Sequence, residues 1–155
     1  MELDTTDIAI LKNLQPEGRL TNADLAERIH LSPSSCLRRV RLLEDAGIID
    51  GYAALVNQSA IGKPSNIFIE VSLVSQSEES LNAFEEAVAD CPEVMECYLM
   101  AGDADYLLRV VASDSADYER IHKTHLSRLP NVSRIRSSFA IRTVCKKTAF
   151  EIGEP

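Results

Sequence analysis

Apolar positions fall into two regimes along the chain. In the first part they recur at three- and four-residue spacing, the period of helices buried along one side. Ile8, Leu11 and Leu14 follow Asp4, a capping residue, and Pro16, Glu17 and Gly18 break the run. Thr21 opens a second helix with Asp24 in a capping-box-like position, and Leu25, Ala26 and Ile29 form its buried side. After a link of only His30 to Ser32, Ser32 serves as N-cap and Pro33 as first helical residue of a third helix. Its stripe is Cys36, Val40 and Leu43, and Gly47 lies just past its end. Three helices with a very short turn before the last predict a helix-turn-helix unit. Ile48 to Val56, apolar around Gly51, reads as a short two-stranded wing or as a strand leading into a linker.

Gln58 to Ser65, with Gly62 and Pro64, marks a boundary between a domain over 1–63 and a domain over 64–155. Beyond it the pattern alternates. Ile67, Ile69, Val71 and Leu73 share one face of a strand, and Phe68, Glu70 and Ser72 the other. A helix follows from Ser77, with Leu81, Phe84 and Val88 inward, and stops at Cys91-Pro92. Val94 to Met100 and Tyr106 to Val111 read as strands joined by a tight loop. A helix capped by Ser115 then carries Tyr118, Ile121, Leu126 and Leu129, and a last strand runs from Val132 to Thr143. The order β-α-β-β-α-β is the ferredoxin-like arrangement, so the fold class is α+β: an N-terminal helix-turn-helix domain and a C-terminal ferredoxin-like domain. Both helices of that arrangement cover one sheet face. The other face also carries apolar groups, among them Phe68, Leu107 and Val111, and is expected to be buried by a second copy, making a homo-oligomer.

Composition is that of a globular chain of 155 residues, 45% hydrophobic and 26% charged. No apolar run approaches the roughly 18 residues of a membrane span, and the start MELDTTD has neither the basic residues nor the apolar centre of a signal peptide. A cytoplasmic protein is expected. Cys36, Cys91, Cys97 and Cys145 form no CxxC pair and read as reduced thiols in or beside apolar segments. The net charge of −8 runs against the basic character usual in nucleic-acid binders. It is unevenly spread: residues 1–63 hold 7 Lys and Arg against 9 Asp and Glu, residues 64–155 hold 9 against 15. Within the first part, the stretch from Pro33 to Leu43 has three arginines and no acid.

Ser34, Ser35, Arg38, Arg39 and Arg41 lie off the buried stripe of the third helix. Arginines on a helix are ordinarily a solvated face. On the third helix of a helix-turn-helix unit they are candidates for DNA contact, Arg38 or Arg39 reading bases while Ser34, Ser35 and Arg41 position the helix on phosphates. Replacing Arg38 and Arg39 together is expected to abolish operator binding without unfolding the chain. So few phosphate contacts per copy call for a dimer. In the loop Ala101-Gly102-Asp103-Ala104-Asp105, Gly and Asp are ordinary turn residues. Two carboxylates two residues apart also suit an ammonium group or a metal, and backbone N–H groups near Gly102 suit a carboxylate. His122 and His125 stand at metal-binding spacing with no third ligand evident, and His30 is given no role. No cofactor and no metal is expected.

The chain resembles the Lrp/AsnC, or feast/famine, family of bacterial and archaeal transcription regulators. The resemblance runs from Leu3-Asp4-xx-Asp7-xx-Ile10-Leu11 to Ser137-Ser138-Phe139 and Thr143. Its most specific parts are Leu31-Ser32-x-Ser34 with Arg38-Arg39-Val40-xx-Leu43-Glu44-xx-Gly47, and the hairpin Gly102-Asp103-Ala104-Asp105-Tyr106. It implies an N-terminal DNA-binding domain, a linker strand and a C-terminal domain that dimerises, associates into octamers and often binds an amino acid between dimers. On that resemblance Met100, Ala101, Gly102, Asp103 and Asp105 line an effector site, with Ser137 or Ser138 from a neighbouring subunit. Two helix-turn-helix units on one dimer would enter successive major grooves about 34 Å apart, so the expected partner is a pseudo-palindromic double-stranded operator. Two other readings are a decarboxylase acting on sirohaem derivatives, which shares this two-domain build, and an amino-acid-binding assembly module without DNA affinity. The preserved Ser/Arg face and the lack of a nucleophile–base pair speak against an enzyme.

Overall fold

The first helices begin where the sequence supplies a cap. In the computed structural model, which describes residues 2–153, α1 (Thr5–Leu14) is closed by a reciprocal capping box between Asp4 and Asp7. α2 (Asn22–Arg28) starts on Thr21, whose hydroxyl accepts from the Asp24 N–H. α3 (Pro33–Asp45) starts on Ser32, with Pro33 in the first turn. α2 and α3 end alike. Past α3, Gly47 adopts φ +68° while Gly47 N–H donates to Glu44 O and Ile48 N–H to Leu43 O, each at 2.9 Å, the two bonds of a Schellman motif. Past α2 the same left-handed position is held by His30 at φ 56°, with Leu31 N–H bonding Ala26 O at 2.9 Å. His30 therefore sets the tight turn between the two helices. Ile10, Leu11, Leu25, Ala26, Cys36 and Leu43 form the core of this unit.

The segment after Gly47 departs from expectation. Among the described residues no strand forms between α3 and Ser65, so Ile48 to Val56 is neither wing nor strand here. An apolar alternation becomes a strand only against a hydrogen-bonding strand, and among the described residues this segment has none. Tyr52 instead donates its hydroxyl to Glu44 at 2.9 Å.

In the second unit β1 (Ser65–Leu73), α4 (Glu78–Ala89), β2 (Val94–Leu99), β3 (Tyr106–Ala112), α5 (Ser115–Thr124) and β4 (Val132–Phe139) give an antiparallel sheet in the order β2-β3-β1-β4. This is the expected βαββαβ fold. Three boundaries differ from expectation. Asp114, not Ser115, caps α5; α5 stops at Thr124 and a 3-10 turn (Leu126–Arg128) carries Leu126 inward; and β4 ends at Phe139, short of Thr143. Register assigns the faces. Ile67, Ile69, Val71, Leu108 and Val110 are wholly buried and pack with Phe84, Val88 and Ile121 of the helices. Phe68, paired with Arg109 and Ser138, and Glu70, paired with Leu107 and Arg136, lie on the other face, which no element of the unit covers.

The compact units divide differently from a single cut at 63/64. The described residues to Leu55 join with the tail from Val144 onward as one unit, and Val56–Thr143 forms the other. The tail is placed by Gln15, whose side chain donates to Phe150 O at 3.1 Å and accepts from Phe150 N–H at 2.6 Å, while Ile152 packs on the helical core.

Candidate nucleic-acid interface and effector site

The structure sorts the five candidate residues of α3. Ser34, Arg38 and Arg41 stand at i, i+4 and i+7 and are exposed along one line of the helix. Neither Arg38 nor Arg41 has a partner in the chain among the described residues. Arg39 is turned the other way. Its Nη1 donates to Asp4 Oδ2 and to Asp7 Oδ1, both at 2.8 Å, with its side chain 27% exposed and Asp7 side chain 8%. The Asp7 N–H, then the Arg39 guanidinium, hold the Asp4 carboxyl below its ordinary value, and the two acids in turn raise Arg39. Arg39 fastens α3 to the N-terminus of α1 and is not among the free cations of the outward line. Ser35 is half-buried; its N–H and its hydroxyl both bond the Ser32 hydroxyl, which also meets Ser34 Oγ at 3.2 Å. The start of α3 thus presents clustered hydroxyls above a helix whose outward cations are Arg38 and Arg41.

The hairpin between β2 and β3 separates its two acids. Met100, Ala101, Gly102 and Asp103 are exposed. Asp105 is buried: Oδ2 accepts from Leu73 N–H and Oδ1 from the Gln76 amide, each at 2.6 Å. Its own backbone bonds Val71 O at 2.9 Å and accepts from Met100 N–H at 2.8 Å. Asp105 therefore binds the base of the loop to the end of β1 and has both oxygens engaged, leaving Asp103 as the exposed carboxylate. Among the described residues the backbone N–H groups from Ala101 to Ala104 meet no acceptor. Ser137 is not beside this loop: it lies on β4, the edge strand opposite β2, paired with Ile69, and its hydroxyl bonds Tyr118 of α5. One copy brings Met100 to Asp103 together and leaves Ser137 apart.

Gln76 and Tyr118 were not candidates in the sequence. Neither has a local signal, since each acts through a partner 29 or 19 residues away. A concavity of about 440 Å³ lies between α4 and β2, lined in part by Glu85, Met95, Cys97 and Tyr106, and shares none of the effector candidates. Burial pushes the Cys97 thiol up to about 11, and burial with the adjoining Glu85 carboxylate raises the Tyr106 hydroxyl. Near the histidine pair, His125 Nε2 stands 3.7 Å from Glu93 and His122 meets the Tyr118 ring. Among the described residues no three His, Cys, Asp or Glu side chains gather as a metal site.

Comparison with known proteins agrees with this layout. Residues 66–150 match the family description "Lrp/AsnC ligand binding domain" and residues 3–50 match "Winged helix-turn-helix DNA-binding". The chain belongs to the Lrp/AsnC family. The Bkd operon transcriptional regulator of Pseudomonas aeruginosa is 42% identical over 148 residues, covering 96% of this chain and 97% of that protein. The leucine-responsive regulatory protein of Rhizobium meliloti is 42% identical over 152 residues, covering 98% and 97%. Among solved structures, a transcriptional regulator from Neisseria meningitidis in complex with L-Met superposes with a TM-score of 0.90 at 38% identity, covering 97% of both chains. An AsnC family regulator from Agrobacterium tumefaciens gives 0.91 at 35% identity, covering 96% and 97%. As a member of the Lrp/AsnC family the protein is a DNA-binding transcription regulator, not an enzyme, with an amino-acid-binding second domain. No helix among the described residues is long and apolar enough to cross a membrane.

Proposed function

We propose that this regulator reads a pseudo-palindromic operator in the cytoplasm as a homodimer, with Arg38 contacting base edges and Ser34, Ser35 and Arg41 holding phosphates. The observation that carries this reading is the exposed line Ser34–Arg38–Arg41 on α3, which meets its first acid only at Asp45 in the last turn, with Arg39 removed from it by Asp4 and Asp7. Arg39 is then a positioning residue that sets the angle of α3 on α1. Dimers form through the open sheet face around Phe68 and Leu107 and assemble further into an octamer. The effector is an α-amino acid held against Met100 to Asp103: the Asp103 carboxylate takes the ammonium, the unpaired loop N–H groups take the carboxylate, and Ser137 arrives from a neighbouring copy. Methionine is the first candidate, because the Neisseria meningitidis structure holds L-Met.

The test is a selection of bound duplexes from random DNA, run with and without each amino acid, beside thermal-shift measurements on the same panel. The expected result is an enriched inverted repeat with half-site centres about 10 bp apart or a multiple of that. Base preference should disappear in Arg38→Ala, and the amino-acid-dependent shift should disappear in Asp103→Ala. A pool that stays random, or a full panel that moves no melting temperature, would overturn the operator or the effector reading respectively.

A further inference from the structure

The C-terminal tail belongs to the DNA-reading unit, and its charge is placed where that unit is poor. Residues 2–55 hold six Lys and Arg: Lys12, Arg19, Arg28, Arg38, Arg39 and Arg41. Arg28 is paired with Glu17 at 2.9 Å and Arg39 with Asp4 and Asp7 at 2.8 Å. That leaves Lys12, Arg19, Arg38 and Arg41 for a polyanion. The tail adds Lys146 and Lys147, both exposed and both without an acidic partner among the described residues, in a stretch with no acid from Val144 to Phe150.

The tail's position is fixed independently of its charge. The Gln15 side chain grips both the N–H and the carbonyl of Phe150, as a neighbouring strand would, and Ile152 packs against the helical core. Gln15 follows α1 directly, between Lys12 and Arg19 in sequence. Lys147 is three residues from Phe150 and Lys146 four, so even fully extended backbone keeps them within about 10–14 Å of the anchor. That tether keeps both lysines beside the helical unit that carries α3.

We propose that Lys146 and Lys147 form a second DNA-contacting element that grips backbone phosphates of the duplex entered by α3. The proposal rests on the α3 reading above and deepens it. Base reading remains with α3. The tail adds sequence-independent affinity to the few phosphate contacts that the helical unit of a protein of net charge −8 can make.

The test measures the dissociation constant of the full-length protein across a salt series, on an enriched operator and on an unrelated duplex of equal length. Each phosphate contact contributes about 0.9 to the slope of log K against log salt, so Lys146→Gln with Lys147→Gln should make the slope shallower by about 2 for every tail engaged. Both duplexes should weaken by the same factor and thermal stability should not change. Gln15→Ala, which frees the tail but keeps its lysines, should show part of the same loss. An unchanged slope in the double variant overturns the proposal, as does a change confined to self-association. Failure of the α3 reading would look different, since Arg38→Ala would then leave the operator's advantage over the unrelated duplex intact.

Discussion

Arg38 and Arg39 are neighbours in sequence, yet they point about 100° apart around α3, and that rotation separates their work. Asp7 is 5% exposed, so removing its guanidinium strands a carboxylate that cannot simply turn to water. Arg39→Ala should lower the stability of the helical unit by about 2 kcal/mol in thermal denaturation. Arg38→Ala should stay within about 0.5 kcal/mol of the parent while losing about 1–3 kcal/mol of base discrimination in binding assays. The double substitution, which from the sequence promises loss of binding without unfolding, mixes the two effects and is the poorer test. What the sequence shows of Arg39 is a cation off the buried stripe. Its partners lie 35 and 32 residues earlier, and helical spacing carries no information at that range. Asp105 has the same history: its pairing with Asp103 in the hairpin is visible, but its capture by Leu73 and Gln76 is tertiary.

Elements whose signals are local were legible, and those that need a neighbour were not. Asp4, Thr21, Ser32 and Ser77 act as caps because a side-chain oxygen and a backbone N–H three residues on suffice. Ser32→Ala should cost about 1 kcal/mol, read from the melting midpoint, and should also free the Ser34 and Ser35 hydroxyls that it clusters. The wing or linker strand expected over Ile48 to Val56 fails for want of a pairing edge, although its residue types suit a strand. The sheet's register was legible because one face must be dry: Ile67, Ile69 and Val71 are each wholly buried, and a slip by one residue would expose all three.

At the scale of the whole molecule, acid should weaken both units. In the first, Asp4 sits below its ordinary value of 3.8, held there by the Asp7 N–H and then Arg39. In the second, Asp117 is depressed by the Ser113 N–H, Lys63 and Arg120, and Glu93, despite partial burial, by Arg120. Folded values below unfolded ones mean stability that is complete above the ordinary carboxylate range and is lost as pH falls through the folded values. Melting temperatures should therefore fall steeply below about pH 4, and Asp117→Asn should remove part of that slope. The return of the tail was the large-scale feature that the sequence hid, because Phe150 and Ile152 belong to no periodic run and the anchoring bonds go to backbone. Its consequence reaches into synthesis. Domains ordinarily close in the order in which they leave the ribosome. Here α1, α2 and α3 emerge first, but their packing lacks Ile152 until the other unit has been translated. A message cut short after Thr143 would yield chains with a complete sheet yet an unfinished reader, and on the pairing proposed above such chains would enter assemblies they could not serve.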